Sequence, residues 1–328
     1  MNRRQHLLRS AAAVAAGPWH DEHLVLDWSS AVPLRREDLP ADPRLRLLRV
    51  EGEERWNLCR AYNFAVACSR GARLLKLDAD AWPTAAFDPE DPALRLPGGA
   101  AGGGAIAGPP AVGPLCAFGS GPDGRKGQFL IDRALFEAVG GFNELLVGYG
   151  FDDKDLLARL RQRCGHGAAA LPPDWIAVIP HSDEERAEHG AGRGGLAVSQ
   201  GLAAMRATRL ANRLLAAHCP WGPASPRSSY RQEGEALWRL EPASLPQPPR
   251  EVAEEAAHAR RMTFWGFFLA IPEVFLEVLP FSLFPPARAG RWPVRWWHRL
   301  WWHSGRRLLA LPVGLLVAGR EALSETGR

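Results

Sequence analysis

The sequence has few cysteines, and none of them stands close to another. The five cysteines are scattered along the chain, with no C-x-x-C pair and no even set that could form a disulfide framework. This spacing argues against a structural zinc site and against a small secreted disulfide scaffold. We therefore expect a reducing, cytoplasmic setting.

Long apolar runs are also absent. The most apolar stretches of the C-terminal region, residues 262–271 and 308–318, are shorter than the roughly 20 residues that a membrane-spanning helix needs. Near the N-terminus, positive charge precedes a short alanine-rich run, but Arg9 and Ser10 interrupt it. This pattern favours an amphipathic helix over residues 5–16, and a secretion signal is the less favoured interpretation.

Lysine is the scarcest charged residue, since only Lys76, Lys126 and Lys154 occur. Arginine supplies nearly all the positive charge, and the formal net charge is only +4. The accompanying excess of Ala, Gly and Pro is typical of a GC-rich coding sequence rather than of a surface selected to bind polyanions. We therefore expect no nucleic-acid partner.

The chain is long enough for one large core and a smaller second unit, with 328 residues of which 46% are hydrophobic. Strand-like and helix-like segments alternate over the first eighty residues. The pattern predicts an α/β fold with a mostly parallel sheet flanked by helices. The predicted elements are strands 23–27, 45–50 and 74–77, helix 5–16, and a helix around 56–66 that Gly71 closes.

Further along, the composition divides the chain. Residues 97–127 are rich in Gly, Ala and Pro, which predicts an irregular loop. The elements expected after it are strand 128–131, helices 133–139, 156–163 and 202–217, and a Pro-rich linker over 220–249. We predict a catalytic domain over residues 1–190, a helix and linker over 191–249, and a helical Trp-rich extension over 250–328.

Asp78 and Asp80 stand where the predicted strand 74–77 runs out into a loop. Ligands of α/β sheets bind at the carboxyl ends of the strands, and carboxylate oxygens suit Mg²⁺ or Mn²⁺ carrying a diphosphate. Lys76, two residues earlier, would face either solvent or the phosphates, and solvent is the expected environment. An Asp-x-Asp pair also occurs by chance in many chains, so this motif alone is more typical of an ordinary loop.

Three further motifs accompany that pair in a fixed order. They are Leu24-Val-Leu-Asp27, Arg60-Ala-Tyr-Asn63, and the run from Gly140-Gly-Phe-Asn-Glu144 to Asp152-Asp153-Lys-Asp155. Over residues 2 to about 190, the chain resembles the family 2-type inverting glycosyltransferases of the GT-A fold. The last motif resembles the C-terminal catalytic motif of the β-1,4-galactosyltransferases.

On the donor side, the resemblance implies a nucleotide-sugar, most simply a UDP-sugar, bound with Mn²⁺ or Mg²⁺. By the same resemblance, Asp27, Arg60 and Asn63 would contact the nucleotide. Asp80 would bind the metal directly, and Asp78 would reach the ribose or a metal-bound water. His181 would be a late metal or diphosphate ligand, although a lone histidine is as often a capping or packing residue.

On the acceptor side, Asp153 matches the catalytic base that takes the proton of the acceptor hydroxyl. Asp152 matches the neighbouring carboxylate that binds the acceptor, where the family more often has Glu. Glu144 would bind the acceptor or only close the turn after Phe142. Tyr149 and Phe151 would stack on a sugar ring, although aromatic side chains more often pack in a core. The alternative is that the two aspartates only cap the helix that follows them.

These roles together predict transfer of a hexose or N-acetylhexosamine to a glycan or glycolipid, in bacterial surface polysaccharide synthesis. One alternative is a catalytically inactive glycosyltransferase-like protein that binds a membrane or a partner. A nucleotidyltransferase is less favoured, because its Gly-rich, basic N-terminal loop is not visible. The family's first strand precedes an Asn-Arg pair that here follows Met1 directly, so we expect a start codon assigned too late, or alternatively a truncated, inactive remnant.

The C-terminal region interleaves tryptophan with arginine over residues 291–307. Indole rings prefer the bilayer interface, and arginine is attracted to anionic headgroups. We therefore weigh a peripheral contact with the inner face of the membrane through residues 262–318. The alternative is a helical subdomain that packs its tryptophans inward.

Overall fold

The protein is described by a computed structural model, which covers residues 3–97, 113–121, 125–180, 195–268 and 312. Contacts divide the chain into two compact units. The first unit comprises residues 1–144, 153–181 and 221–246, and the second comprises residues 145–152, 182–220 and 247–328. The chain therefore leaves the first unit and returns to it twice.

The helices and strands of the described residues follow one another along the chain. The helices are α1 (Arg4–Ala15), α2 (Leu58–Cys68), α3 (Arg133–Ala138), α4 (Asp152–Cys164), α5 (Gly195–His218) and α6 (Arg250–Phe268). The strands are β1 (His23–Trp28), β2 (Leu45–Glu51), β3 (Arg73–Lys76), β4 (Ala81–Pro83), β5 (Cys116–Gly119), β6 (Phe129–Asp132), β7 (Ala169–Leu171), β8 (Ile176–Val178), β9 (Tyr230–Gln232) and β10 (Leu237–Leu240).

One sheet of the first unit has the strand order β1-β2-β10-β9. β1 and β2 are parallel, β10 continues the sheet parallel to β2, and β9 pairs antiparallel with β10. Successive side chains of a strand alternate between faces, and both faces of this sheet are apolar. Val25 and Leu45 pack with Ala11 of α1, whereas Trp28 and Leu48 belong to the cluster that includes α2. The two helices therefore cover opposite faces.

The second sheet of this unit has the order β3-β6-β5-β7, and β4 forms a separate antiparallel pair with β8. In the second sheet β5 and β7 are parallel, while the other neighbours are antiparallel. A continuous apolar cluster joins this sheet to the β4–β8 pair through Leu94, Leu115, Leu130 and Ile176. The sheet holds the end of β3, where the aspartate pair follows, beside the turn that precedes β6.

The predicted α/β fold class, with helices flanking the sheets, is confirmed, and both four-stranded sheets contain parallel and antiparallel neighbours. Three local expectations are wrong. α2 ends at Cys68 with Ser69 as its cap, so Gly71 does not close it. The segment 97–127, predicted to be an irregular loop, contains β5. The Pro-rich segment 220–249, predicted to be a linker, contains β9 and β10.

In the second unit, α5 packs against α6 through Leu210, Leu214 and Ala259. Within the residues that the structure describes, none of the helices combines the length and the apolar character needed to cross a bilayer. The Trp- and Arg-rich segment 291–307 lies outside the described residues, as does most of the predicted extension beyond Phe268.

Candidate active site

Asp78 lies just after β3 and is held by hydrogen bonds from several segments of the first unit. Its Oδ1 accepts hydrogen bonds from Lys76 Nζ at 3.0 Å and from the Tyr62 hydroxyl at 3.1 Å. Its Oδ2 accepts from Gln128 Nε2 at 2.8 Å, and its backbone N–H donates to Gln128 Oε1 at 2.7 Å. Four hydrogen bonds thus fix both the position and the orientation of the carboxylate.

Asp153, in the first turn of α4, shares a hollow with Asp78. The two carboxylates meet at Gly127, which ends the short turn before β6. A Cβ added at Gly127 would lie 3.3 Å from Oδ2 of Asp153 and 3.5 Å from Oδ2 of Asp78. A side chain at this position would crowd both carboxylates, and two motifs far apart in the sequence therefore face one point.

Lys76 also lines this hollow, so the expectation that it faces solvent is wrong. The side chain is buried, and Nζ donates to the carbonyl oxygen of Gly127 at 2.6 Å as well as to Asp78. Nζ also lies 4.8 Å from the centre of the Tyr62 ring. β3 is the terminal strand of its sheet, but Tyr62 of α2 and the turn at Gly127 cover this position.

Burial and charge act in opposite directions on this pair. Burial, the largest single influence, would lower the pKa of Lys76, but Asp78, Tyr62 and Asp153 together outweigh it, and the pKa is raised above its ordinary value. Burial, the largest single influence, would raise the pKa of Asp78, but the charge of Lys76 and the hydrogen bonds from Lys76, Gln128 and Tyr62 together outweigh it, and that pKa is lowered. Burial, followed by the charge of Asp78, raises the pKa of Tyr62 well above its usual range. At neutral pH the site therefore contains a carboxylate, an ammonium and a neutral phenol.

Asp80 is buried and forms an ion pair with an arginine. Arg3, immediately before α1, donates from Nη1 to Oδ2 of Asp80. The backbone of Asp80 is fixed as well, since the N–H of Ile179 donates to its carbonyl oxygen at 2.9 Å. Each aspartate of the D-x-D pair is therefore ion-paired with a basic side chain of the same unit.

Asp27, expected to contact the nucleotide, organises the loop after β1. Its carboxylate accepts hydrogen bonds from the backbone N–H groups of Ser30 at 3.2 Å and Leu34 at 3.0 Å. Arg49 of β2 donates from Nη1 to Oδ2 at 2.6 Å. This residue has a clear structural role, and its nucleotide contact stays a prediction.

Arg60 forms a two-pronged ion pair that the sequence did not indicate. Its Nε and Nη2 donate to the two carboxylate oxygens of Glu53 at 2.9 and 2.5 Å. This geometry is the strongest that arginine and a carboxylate adopt. The hydroxyl of Tyr230, the first residue of β9, donates to the same carboxylate at 2.8 Å. A nucleotide contact by Arg60 likewise stays a prediction.

Asn63 and Glu144 are buried and bonded to each other. Asn63 Nδ2 donates to Glu144 Oε1 at 2.8 Å and to the carbonyl oxygen of Phe142 at 2.9 Å, and its Oδ1 accepts from the N–H of Phe142 at 2.8 Å. The second carboxylate oxygen of Glu144 accepts from the N–H and hydroxyl of Ser228 at 2.8 and 2.7 Å. Asn63 and Glu144, which were both predicted to contact a ligand, therefore also join three segments of the first unit.

In the second unit, a tight loop over residues 147–151 presents Tyr149, which is 40% exposed. Gly148, Gly150 and Phe151 all have positive φ angles, of 72, 86 and 79 degrees. A β-carbon at Gly148 would lie 2.7 Å from Cγ2 of Thr208, so the loop approaches α5 closely. Phe151 directly precedes Asp152, which is the first residue of α4.

Asn212 of α5 holds this loop, and no sequence motif pointed to it. Its Oδ1 accepts from the N–H of Val147 at 3.1 Å, and its Nδ2 donates to the carbonyl oxygens of Val147 at 3.0 Å and Gly150 at 2.8 Å. Asn212 is itself buried. One side chain thus replaces the backbone partners that the strained loop cannot supply.

The residues of the hollow suit a divalent cation in donor type. Carboxylate oxygens are the ligands that Mg²⁺ and Mn²⁺ prefer, and the space at Gly127 is lined by Asp78 and Asp153. His181, the third predicted ligand, lies outside the described residues. Among the residues that are described, no group of three or more acidic, histidine or cysteine side chains could hold a metal ion.

Comparison with known proteins finds a family model that matches a segment of the chain. Residues 124–179 match the model described as the N-terminal domain of galactosyltransferase. The matched segment contains Gly127, Gln128, Glu144 and Asp153. This match supports a glycosyltransferase-type protein, for which a nucleotide-sugar donor and an acceptor are implied. No curated protein matches the chain significantly.

Proposed function

We propose that the protein is a metal-dependent, inverting glycosyltransferase that moves a hexose or N-acetylhexosamine from a UDP-sugar to a glycan or glycolipid. One observation carries the proposal. Asp78 lies outside the segment that matches the galactosyltransferase model, yet it is bonded to Gln128 and shares a hollow with Asp153, which both lie inside it. A donor motif and an acceptor motif of this reaction class are expected to converge in this way.

In the proposed reaction, Asp153 accepts the proton of an acceptor hydroxyl. The hydroxyl oxygen forms a bond to the anomeric carbon of the donor sugar, and the bond from that carbon to the diphosphate breaks. Attack from the face opposite the leaving group inverts the configuration. Asp152, its neighbour in the chain, would bind the acceptor hydroxyl groups.

On the donor side, Asp78 and Asp80, with His181, would hold the ion. A bound divalent ion supplies Lewis-acid stabilisation of the negative charge that develops on the diphosphate. Asp27, Arg60 and Asn63 would contact the nucleoside part. Their present hydrogen bonds fix the backbone around them, and because Asp27 and Asn63 are buried, a direct nucleotide contact there requires some of these bonds to be exchanged.

On the acceptor side, we assign Glu144, Tyr149 and Phe151 to sugar binding. Tyr149 has the exposure that stacking on a sugar ring needs, and the loop that carries it leads directly into Asp152 and Asp153. A glycan or glycolipid in bacterial surface polysaccharide synthesis is the proposed context. In that context the protein would lie in the cytoplasm, peripheral to the inner face of the membrane.

The central test separates donor binding from transfer. UDP binding with Mn²⁺ is measured by calorimetry, and transfer is measured as UDP release from a panel of UDP-hexoses and UDP-N-acetylhexosamines with and without glycan acceptors. We expect Asp80→Ala to abolish metal-dependent UDP binding. Asp153→Asn should leave binding nearly intact and remove transfer. If either change removes both activities in a folded protein, the assigned division of roles is wrong.

The membrane part of the proposal is tested separately. A protein lacking residues 269–328 keeps α1 to α6 and β1 to β10, and it should move from the membrane pellet to the supernatant after cell lysis. An unchanged distribution would exclude these residues as the membrane contact. Donor binding should be the same in both proteins.

A further inference from the structure

The hollow at Gly127 already contains a positive charge that belongs to the protein. A Cβ at Gly127 would lie 3.5 Å from Lys76 Nζ, at the same distance as from the carboxylate of Asp78 and close to that of Asp153. Three charged side chains therefore surround one small space. Lys76 is buried, and its ammonium is fixed by Asp78 and by the carbonyl oxygen of Gly127.

The position of this charge matters because Lys76 already brings a positive charge to the carboxylate of Asp78. Asp153 faces the same point from α4. A divalent cation that entered alone would gain attraction from the carboxylates but would also be repelled by the ammonium at short range. Because the ammonium of Lys76 is itself buried, water and salt screen this repulsion only in part.

The charges balance differently when a divalent cation enters together with a diphosphate. The phosphate oxygens bring negative charge of their own, which offsets the repulsion between the ion and Lys76. The ammonium would in turn attract the diphosphate. The same lysine therefore opposes the bare ion and favours the ion–diphosphate complex.

We propose that Lys76 is a positioning residue that makes this site select a divalent cation together with a nucleoside diphosphate over the cation alone. The inference rests on the proposed function, since it takes the hollow at Gly127 to be the donor site. It adds a binding order to that function: the ion arrives with the nucleotide-sugar or after it.

The test compares binding of three probes, which are Mn²⁺ alone, UDP alone and UDP with Mn²⁺. Free Mn²⁺ is followed by electron paramagnetic resonance, and UDP by calorimetry. We expect Lys76→Met to bind Mn²⁺ alone about tenfold or more tightly than the unaltered protein, because the repulsion is removed. The same variant should bind UDP alone more weakly. Lys76→Arg retains the charge and should behave like the unaltered protein.

Lys126→Met is the matched control, because Lys126 is exposed and adjoins Gly127 in the same turn. It removes the same formal charge without touching the hollow, so its affinities should be unchanged. Loss of packing alone would weaken both Mn²⁺ and UDP binding in Lys76→Met. If this variant is folded and binds Mn²⁺ alone no more tightly than the unaltered protein, the inference is overturned.

A second measurement needs no variant. The chain has only three lysines, so the ammonium nitrogens of a ¹⁵N-lysine-labelled protein give a simple spectrum. UDP with Mg²⁺ should shift the Lys76 signal, whereas the same concentration of Mg²⁺ alone should not; an equal shift with Mg²⁺ alone would overturn the binding order. If the protein is not a glycosyltransferase, no UDP binding is seen in any variant, and the Mn²⁺ comparison still reports on Lys76.

Discussion

The side-chain amide of Asn63 lies 2.8 Å from a carboxylate oxygen of Glu144, across 81 residues of sequence. Both groups are buried, and every other contact described for them is also a hydrogen bond to a fixed part of the first unit. Residues that the motifs mark for ligand binding thus also hold together the framework that carries Asp78 and Asp153. Function and stability are expected to respond together to changes at these positions.

Asn63→Ala should lower the free energy of unfolding by about 2–4 kcal/mol, because it leaves the N–H of Phe142 and an oxygen of Glu144 buried without their partner. Chemical denaturation measures the change. Asn57→Ala serves as the comparison, since it removes an N-cap of the same helix and should cost about 1 kcal/mol. Equal losses in the two variants would argue against a special role for Asn63.

Gly127→Ala should weaken binding of UDP with Mn²⁺ by about tenfold, because the new methyl group would enter the hollow at 3.3 Å from Asp153. Gly167→Ala is the matched control, as an added Cβ there meets nothing within 4 Å. Calorimetry gives the affinities, and thermal unfolding shows whether each variant is folded. Unaltered affinity in Gly127→Ala would place donor binding elsewhere.

Asn212→Ala should loosen the loop over residues 147–151 without unfolding α5. Three hydrogen bonds are lost, and we expect the backbone N–H of Val147 to exchange with solvent deuterium about tenfold faster or more. Thr208→Ser keeps the hydroxyl that bonds to the carbonyl oxygen of Ala204, and it should leave that exchange unchanged. Equal exchange rates in the two variants would show that other contacts hold the loop.

Acid should destabilise the protein through His23. Burial, followed by the nearby His20, lowers the pKa of His23 to about 4, whereas an unfolded chain titrates near 6.5. Between these values the unfolded state binds more protons, so stability falls as the pH drops from about 6.5 towards 4.

The measurement is the free energy of unfolding of the unaltered protein and of His23→Leu at pH 7 and pH 5. We expect the unaltered protein to lose about 1–2 kcal/mol more than the variant over this range. His166→Leu, at an exposed position, should keep the pH dependence of the unaltered protein. If His23→Leu keeps it too, another group is responsible for the acid sensitivity.

The sequence was sufficient to predict the fold class, the helices α1 to α4 and the strands β1, β2, β3 and β6, because the strand and helix periodicities in these segments are regular. It also indicated Asp78 and Asp153, since each belongs to a recognisable motif. The buried environment of Lys76 could not be predicted, for a physical reason. Alternation along a strand tells which residues share a face, but not which later segment covers that face, and here the cover comes from Tyr62 and the turn at Gly127.

The partners supplied by distant segments were missed for a related reason. β9 and β10 are only three and four residues long and lie in Pro-rich surroundings, so their composition predicted a linker. Tyr230 and Ser228 could therefore not be linked to Glu53 and Glu144. Asn212 gave no signal either, because a single asparagine within a helix is not a motif.

The pairing of β10 with β2 has a consequence for biosynthesis. β1 pairs with one edge of β2 and β10 pairs with the other. β2 ends at Glu51, whereas β10 spans Leu237–Leu240. A ribosome must synthesise almost three quarters of the protein before this neighbour exists, and during that time one edge of β2 lacks its backbone partners. Nascent chains should therefore be most vulnerable to misassociation before β10 emerges, and any expressed fragment that ends ahead of Leu237 should aggregate.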